Sequence, residues 1–230
     1  MARWRHNFAI TTLFVLSLIL NHSSSGADNS VEQTKIDSLF AAAKSNDVHA
    51  AKTLIAEGAP IDSKDGSGRT ALLVATYHNA IDVARLLIDA GANVNSKDSL
   101  QDSPYLYAGA EGKLKILKMT VDAGAELSAT NRYGGTALIP AAHHGHVEVV
   151  RYLLTTKTNI DHVNNLGWTA LLEAVILGDG SPTYQKIVQL LVNAGADRSI
   201  ADNDGITPLD HAKASGQNEV VRILEGLVNQ

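Results

Sequence analysis

The stretch GGTALIPAAHHGHVEVVRYLL, residues 134–154, sets His143, His144 and His146 within four positions, between a Gly-Gly turn and an apolar run. Three imidazoles so close together raise the question of a metal site, and the answer depends on whether the stretch is unique or one copy of a repeat. It is a copy. GRTALLVATYHNAIDVARLLIDAGANVN begins at Gly68, GWTALLEAVILG at Gly167 and GITPLDHAKASGQNEVVRILEGL at Gly205. Thr70, Thr136, Thr169 and Thr207 mark the register, and Ser103 falls midway between the first two, so successive spacings are 33, 33, 33 and 38. The extra residues of the last interval lie in DGSPTY, residues 179–184, whose Gly, Ser and Pro mark an inserted loop. Counting back from Thr70 reaches Asp37, and SLFAAAKSNDVHAAKTLIAEGAPID follows with the same apolar pattern, which makes six units.

Each unit reads as two short antiparallel helices and a finger-like connecting turn. In the second unit the pattern predicts a helix over Ala71–His78, a turn at Asn79 and Ala80, and a helix over Ile81–Asp89 with Ile81, Ala84, Leu87 and Ile88 on one face. Gly91 is expected to close it in the left-handed conformation, as Gly58, Gly124 and Gly195 do in their units. Such a pair cannot bury its apolar face alone, so neighbours must stack into an all-α solenoid.

The phrases GxTAL or GxTPL, an Ala pair, Gly-His, EVV, LL and Gly-Ala before Asn or Asp resemble the ankyrin repeat. The resemblance covers 36–230, in units of about 36–66, 67–99, 100–132, 133–165, 166–203 and 204–230. Together with the N-terminal segment described below, QDSPYLYAGAEG, GGTALIPAAHHGHVEVV and GWTALLEAVILGDG also look like a group of exported bacterial ankyrin proteins. There are departures. The histidine that usually follows TPL is replaced by Leu73, Leu106, Ile139, Leu172 and Asp210, so apolar packing is expected to substitute for its hydrogen bonds. Lys157 stands where a closing glycine is due, and Pro140 sits inside a first helix, in a turn whose amide is expected to lack an intrahelical partner. The fourth unit is therefore expected to be locally irregular.

The resemblance implies a protein partner bound on the concave face, built from finger tips and first helices. Carried over unit by unit, the variable position before the threonine is Arg69, Asp102, Gly135, Trp168 and Ile206; Tyr107 and Glu173 fall on one exposed helix position, and Tyr77, His143 and Ile176 on the next. Trp168 and the tyrosines are the anchor candidates, because interface energy concentrates on aromatics and Arg. Arg69, Asp102, Tyr133, His143, His144 and Glu173 form an expected polar fringe that sets specificity.

The remaining signals exclude more than they add. A hydrophobic content of 45% with only 5% aromatics suits small, closely packed helices, and a net charge of -5 lacks the basic block that nucleic-acid binding needs. Arg3, Arg5 and His6 precede the uncharged run 8–20, and Ser25 and Ala27 then supply small residues. That order reads as a secretory signal peptide over 1–27, followed by a polar linker over 28–35, with a retained N-terminal anchor as the alternative. No cysteine is present, which removes disulfides, thiolate ligands and thiol nucleophiles. There is no GxSxG elbow, HExxH helix or GxxxxGK loop, so neither an enzyme nor a cofactor is expected.

ADNDGITPLD, residues 201–210, opens like a calcium loop at Asp202, Asp204 and Gly205, but Ile206 and Lys213 stand at the fifth and twelfth loop positions, where oxygen ligands are needed. His143 and His144 end one helix about 100° apart around its axis, and Gly145 breaks it before His146, so the three do not share a face. The expected protein is an exported, periplasmic, monomeric interaction module with no membrane span once the signal is removed, a scaffold or protective partner of a periplasmic protein. A periplasmic inhibitor neutralising a toxic effector is one alternative, and metal or small-ligand binding at His143, His144 and His146 is another.

Overall fold

The computed structural model describes residues 28–227, so the expected signal segment 1–27 lies outside the described residues. Among the described residues twelve helices follow one another as six hairpins. They are α1 (28–45), α2 (Val48–Ala56), α3 (Ala71–Tyr77), α4 (Ile81–Asp89), α5 (Pro104–Ala110), α6 (Leu114–Asp122), α7 (Leu138–His143), α8 (Val147–Leu153), α9 (Ala170–Ile176), α10 (Pro182–Asn193), α11 (Pro208–Ala214) and α12 (Asn218–Leu224). From α2 onward odd helices touch the next odd helix and even helices the next even one, giving two helical layers with fingers projecting from one edge. The boundaries of α4 are those the sequence predicts, and Gly58, Gly91, Gly124 and Gly195 all take positive φ. Among the described residues no helix is long and apolar enough to cross a membrane.

The inner layer is tight because small residues recur at one register position. Ala75, Ala108, Ala141, Ala174 and Ala212 are all completely buried between successive first helices. At Gly109 the approach is closer still: a Cβ there would lie 2.8 Å from Ala137 Cβ. Leucines fill the space between layers, with Leu72, Leu87, Leu117, Leu153, Leu171 and Leu191 fully enclosed. Of the residues replacing the usual histidine, Leu73, Leu106, Ile139 and Leu172 are buried as apolar packing requires, whereas Asp210 keeps hydrogen bonds at its turn by closing a reciprocal capping box with Thr207.

Two expectations need correction. Residues 28–35 are not a linker; they are helical and extend α1, where the Lys35 Nζ donates to the Glu57 carbonyl at 2.7 Å and ties the helix to the end of α2. Nor does Pro140 occupy a position whose amide is unused. In the sister helices the amides of Val74, Tyr107, Glu173 and His211 donate to the carbonyls of Thr70, Ser103, Thr169 and Thr207, the first bond of each helix.

Pro140 removes that donor, so the Ile139 amide moves onto the Thr136 carbonyl at 3.2 Å. The Thr136 hydroxyl thereby loses the amide that caps its counterparts, and its Oγ1 is buried without a partner. The same unit lacks its closing glycine, and α8 stops at Leu153, where the Thr155 and Thr156 hydroxyls donate to the Tyr152 and Leu153 carbonyls. The expected irregularity of the fourth unit is present at both ends.

Because the Thr169 hydroxyl caps the Leu172 amide and the Thr136 hydroxyl caps nothing, Thr169→Ala should cost about 1 kcal/mol more than Thr136→Ala. Urea melts of both variants measure this difference, which should vanish in a Pro140→Ala background.

Candidate partner-binding groove

Every finger is held by one side chain at its base. The Asp65 Oδ1 accepts the Ser67 and Arg69 amides at 2.9 and 3.0 Å, and Asp98 does the same for Leu100 and Asp102. Asn131 accepts from Tyr133 and Gly135, Asn164 from Leu166 and Trp168, and Asp202 from Asp204 and Ile206. This Asx turn satisfies two backbone donors that an exposed loop would leave to water. Neighbouring fingers are bonded to each other: the Ser99 amide donates to the Ser67 carbonyl, the Asn165 amide to the Tyr133 carbonyl, and the Lys64 and Lys97 Nζ atoms to the Lys97 and Thr130 carbonyls. The fingers therefore form a connected edge.

That edge presents Leu100, Tyr133 and Leu166, which are 51%, 54% and 50% exposed, at the same position of three successive fingers. Sequence reading named Tyr133 and missed both leucines, although each lies 33 residues from it. The tips overhang a groove of about 540 Å³ whose floor is α5, α7 and α9. Of the predicted residues, Tyr77, Asp102, Tyr107, Tyr133, His143, His144, Trp168 and Glu173 line it. Arg69 does not; it borders a separate hollow beside α1. Ile176 is half-buried in α9 and also lies outside the lining, which Leu177 joins instead.

At one end the Tyr77 and Tyr107 rings stack with centroids 3.9 Å apart, and the Tyr77 hydroxyl lies 3.4 Å from both the Asp98 and Asp102 carboxylates. Burial pushes the Tyr77 hydroxyl far up and the two carboxylates reinforce it, so it stays protonated and can only donate to them. Burial also raises the Asp102 carboxyl, and the neighbouring Asp98 adds to the shift. Arg132 stacks on Tyr133, 4.8 Å from the ring centroid.

At the other end Glu173 was expected on an exposed fringe, but it is only 6% exposed. Its Oε1 accepts the Asn164 amide at 2.9 Å, and its Oε2 lies 3.4 Å from the His143 Nδ1. Burial raises the Glu173 carboxyl against the opposing pull of Asn164, whereas burial and the adjacent His144 lower the His143 imidazole. Both shifts favour the uncharged forms. The histidines do not converge: His144 Nδ1 contacts the Ala110 carbonyl at 2.7 Å, and His146 lies against Gly112 with its ring nearly perpendicular to that of His144. Among the described residues no group of three or more His, Asp or Glu side chains could hold a metal ion.

Comparison with known proteins agrees with this architecture. The family model for ankyrin repeats, in three copies, matches residues 9–98 and 105–202. The chain belongs to the ankyrin repeat family, whose repeats are protein–protein interaction modules and in general non-enzymatic scaffolds. An ankyrin repeat domain from Acinetobacter baumannii AYE is 57% identical, with a TM-score of 0.80 over 82% of this chain and 96% of that one. The ankyrin repeat protein EF0377 is 43% identical, also at a TM-score of 0.80, over 83% of this chain and 97% of its own. The ankyrin repeat domain of Bcl-3, a member of the IkappaB family, shares 26% identity at a TM-score of 0.74 over 84% of this chain and 86% of its own. YahD of Escherichia coli (strain K12), an ankyrin repeat protein by name, is 42% identical over 52 residues, which span 23% of this chain and 26% of that protein.

The buried Glu173 gives a pH-dependent expectation. Its folded pKa lies above the unfolded one, so the fold holds the proton more tightly and loses stability as pH rises through that window. Glu173→Gln keeps an acceptor for Asn164 and removes the charge. Its melting temperature should exceed that of the wild type at pH 7, and the two should converge below about pH 4, where both carboxyl states are protonated.

Proposed function

We propose that the chain docks an extended segment of a partner protein in the groove beneath the fingers that carry Leu100, Tyr133 and Leu166. The observation that carries this reading is the row of half-exposed Leu100, Tyr133 and Leu166 above a floor containing Tyr107 and Trp168. A solvated surface would place charge at such positions, and water-exposed apolar tips facing an aromatic trough suit a removable occupant. The trough is pre-formed, since the Asx turns and the bonds between fingers fix the tips before anything binds, and pre-organisation lowers the entropic cost of association. Trp168 and Tyr107 are the anchors. The His143 imidazole, 3.4 Å from the Glu173 carboxyl, gives the trough an orientation-sensitive polar end.

The site of action proposed is outside the cytoplasm. The basic, apolar and small-residue order of 1–27 and the absence of cysteine support this placement, with the periplasm as the compartment and a periplasmic protein as the partner. Its role there is that of a scaffold or protective partner.

Affinity capture with the tagged chain lacking 1–27, from a native extracytoplasmic extract, tests the reading against a Trp168→Ala, Tyr107→Ala variant checked for an unchanged fold. Each truncation of a true anchor costs about 2 kcal/mol or more, so the partner should be retained by the wild type and lost by the variant. Retention of the same proteins by both forms would move the binding surface elsewhere. If the captured partner is an enzyme that survives stress better in the complex, the role is protective; if its activity is abolished, the protein is an inhibitor.

A further inference from the structure

The repeat supplies an internal comparison at the base of each finger. Where the chain enters the second unit the Asp65 carboxylate holds a guanidinium: Arg69 reaches its Oδ2 through Nε at 2.8 Å and Nη2 at 2.7 Å, with Cζ 5.8 Å from the Tyr77 ring centroid. Where it enters the sixth unit Asp202 holds the His211 Nε2 at 2.7 Å. The entries to the fourth and fifth units use the neutral Asn131 and Asn164. At the entry to the third unit the carboxylate is Asp98, only 5% exposed, and the register position of Arg69 is taken by a second acid, Asp102.

Among the described residues neither Asp98 nor Asp102 forms an ion pair, and the Tyr77 hydroxyl at 3.4 Å is the side-chain donor they share. The one arginine beside them in the groove, Arg132, is stacked on Tyr133. Two carboxylates with no cation in salt-bridge contact, one nearly buried and the other opening into a groove walled by the Tyr107 ring with Glu111 on its rim, feel Arg132 and Arg69 only at a distance and form an incomplete version of the site that Asp65 and Arg69 complete between themselves.

We propose that a partner arginine completes it: the guanidinium of an arginine in the docked segment pairs with Asp102 and lies against the Tyr107 face. This rests on the reading of the groove as the partner site and names the chemistry of its occupant. Arginine fits better than lysine because its planar fork matches a carboxylate and stacks on an aromatic ring at once, the arrangement Arg69 adopts one unit away. Repulsion between Asp98 and Asp102, which the free protein tolerates, is relieved in the complex.

The test is an NMR titration of the chain lacking 1–27 with a blocked tetra-arginine peptide, beside tetra-lysine and tetra-glutamate peptides. Shifts centred on Asp102 and Tyr107, tighter for arginine than for lysine and absent for glutamate, are expected. Asp102→Asn should weaken arginine binding about tenfold or more, whereas Asp89→Asn, which removes one acid from the outer helix α4, should leave it within about twofold. Asp102→Arg should abolish binding and raise the melting temperature by restoring the ion pair of the second unit, which also confirms that the variant folds.

Equal effects of Asp89→Asn and Asp102→Asn, or shifts spread over the acidic surface, would reduce the interaction to general charge attraction and overturn the proposal. Lysine binding as tightly as arginine would overturn the guanidinium assignment. A partner captured through Trp168 and Tyr107 that is indifferent to Asp102→Asn would leave the groove standing and defeat this inference alone.

Discussion

The two backbone amides accepted by one short side chain at the base of each finger are the constraint on which the rest of the structure depends. Helices α3 to α12 are short, most of them seven or nine residues, and none would be stable alone. Each is fixed by its neighbours, and the neighbours are aligned by fingers that must all leave the stack at the same angle. An Asx turn at Asp65, Asp98, Asn131, Asn164 and Asp202 sets that angle through bonds each worth about 0.5–1.5 kcal/mol net. Bonds between adjacent fingers then carry the alignment from unit to unit, so the groove beneath them is a property of the stack and of no single hairpin.

Function resides where units depart from one another. The core positions are nearly interchangeable, with alanine at one register position of five successive first helices. The positions facing the groove are not. The residue before Thr70, Ser103, Thr136, Thr169 or Thr207 is Arg69, Asp102, Gly135, Trp168 or Ile206, and this variation turns a uniform scaffold into a surface with an acidic, tyrosine-lined end and an end marked by Trp168, His143 and Glu173. The proline that disables one helix cap belongs to the same surface. Pro140 lines the groove and costs the fourth unit a hydrogen bond, as expected if stability at that place is subordinate to the shape of the trough.

Much of this is legible in the sequence because a 33-residue period supplies several independent readings of every position. The bounds of α4 and the left-handed glycines follow from that period, and the groove residues Tyr77, Asp102, Tyr107, Tyr133, His143, His144, Trp168 and Glu173 from the concave face that the family resemblance implies. What escaped the sequence has specific physical causes. Residues 28–35 look polar and linker-like, yet they extend a helix packed into the core through Leu39, Ala42 and Ala43, and they are tied to the end of α2 by a lysine bond to a carbonyl 22 positions away, which no local pattern encodes. Leu100 and Leu166 were legible in principle, being the counterparts of Tyr133, but an exposed leucine in a loop carries no signal until the finger is known to face a groove.

Glu173 illustrates the opposite failure. A glutamate on an exposed register position reads as surface, and only the packing of α7 against α9 reveals that His143 and Asn164 cover it. Pro140 was misplaced because first-turn amides are unpaired as a rule, whereas the fourth residue after the cap already makes a bond in the sister helices.

The finger-base turn is tested most directly at Asn131, whose side chain among the described residues bonds the Tyr133 and Gly135 amides and no others. The measurement is residue-resolved amide hydrogen exchange on Asn131→Ala. The account predicts accelerated exchange at Tyr133, Gly135 and Asn165, whose amide donates to the Tyr133 carbonyl, with the amides of α7 and α8 still protected. Unchanged protection at all three would show that the fingers are held by something other than this side chain, and would contradict the pre-formed groove.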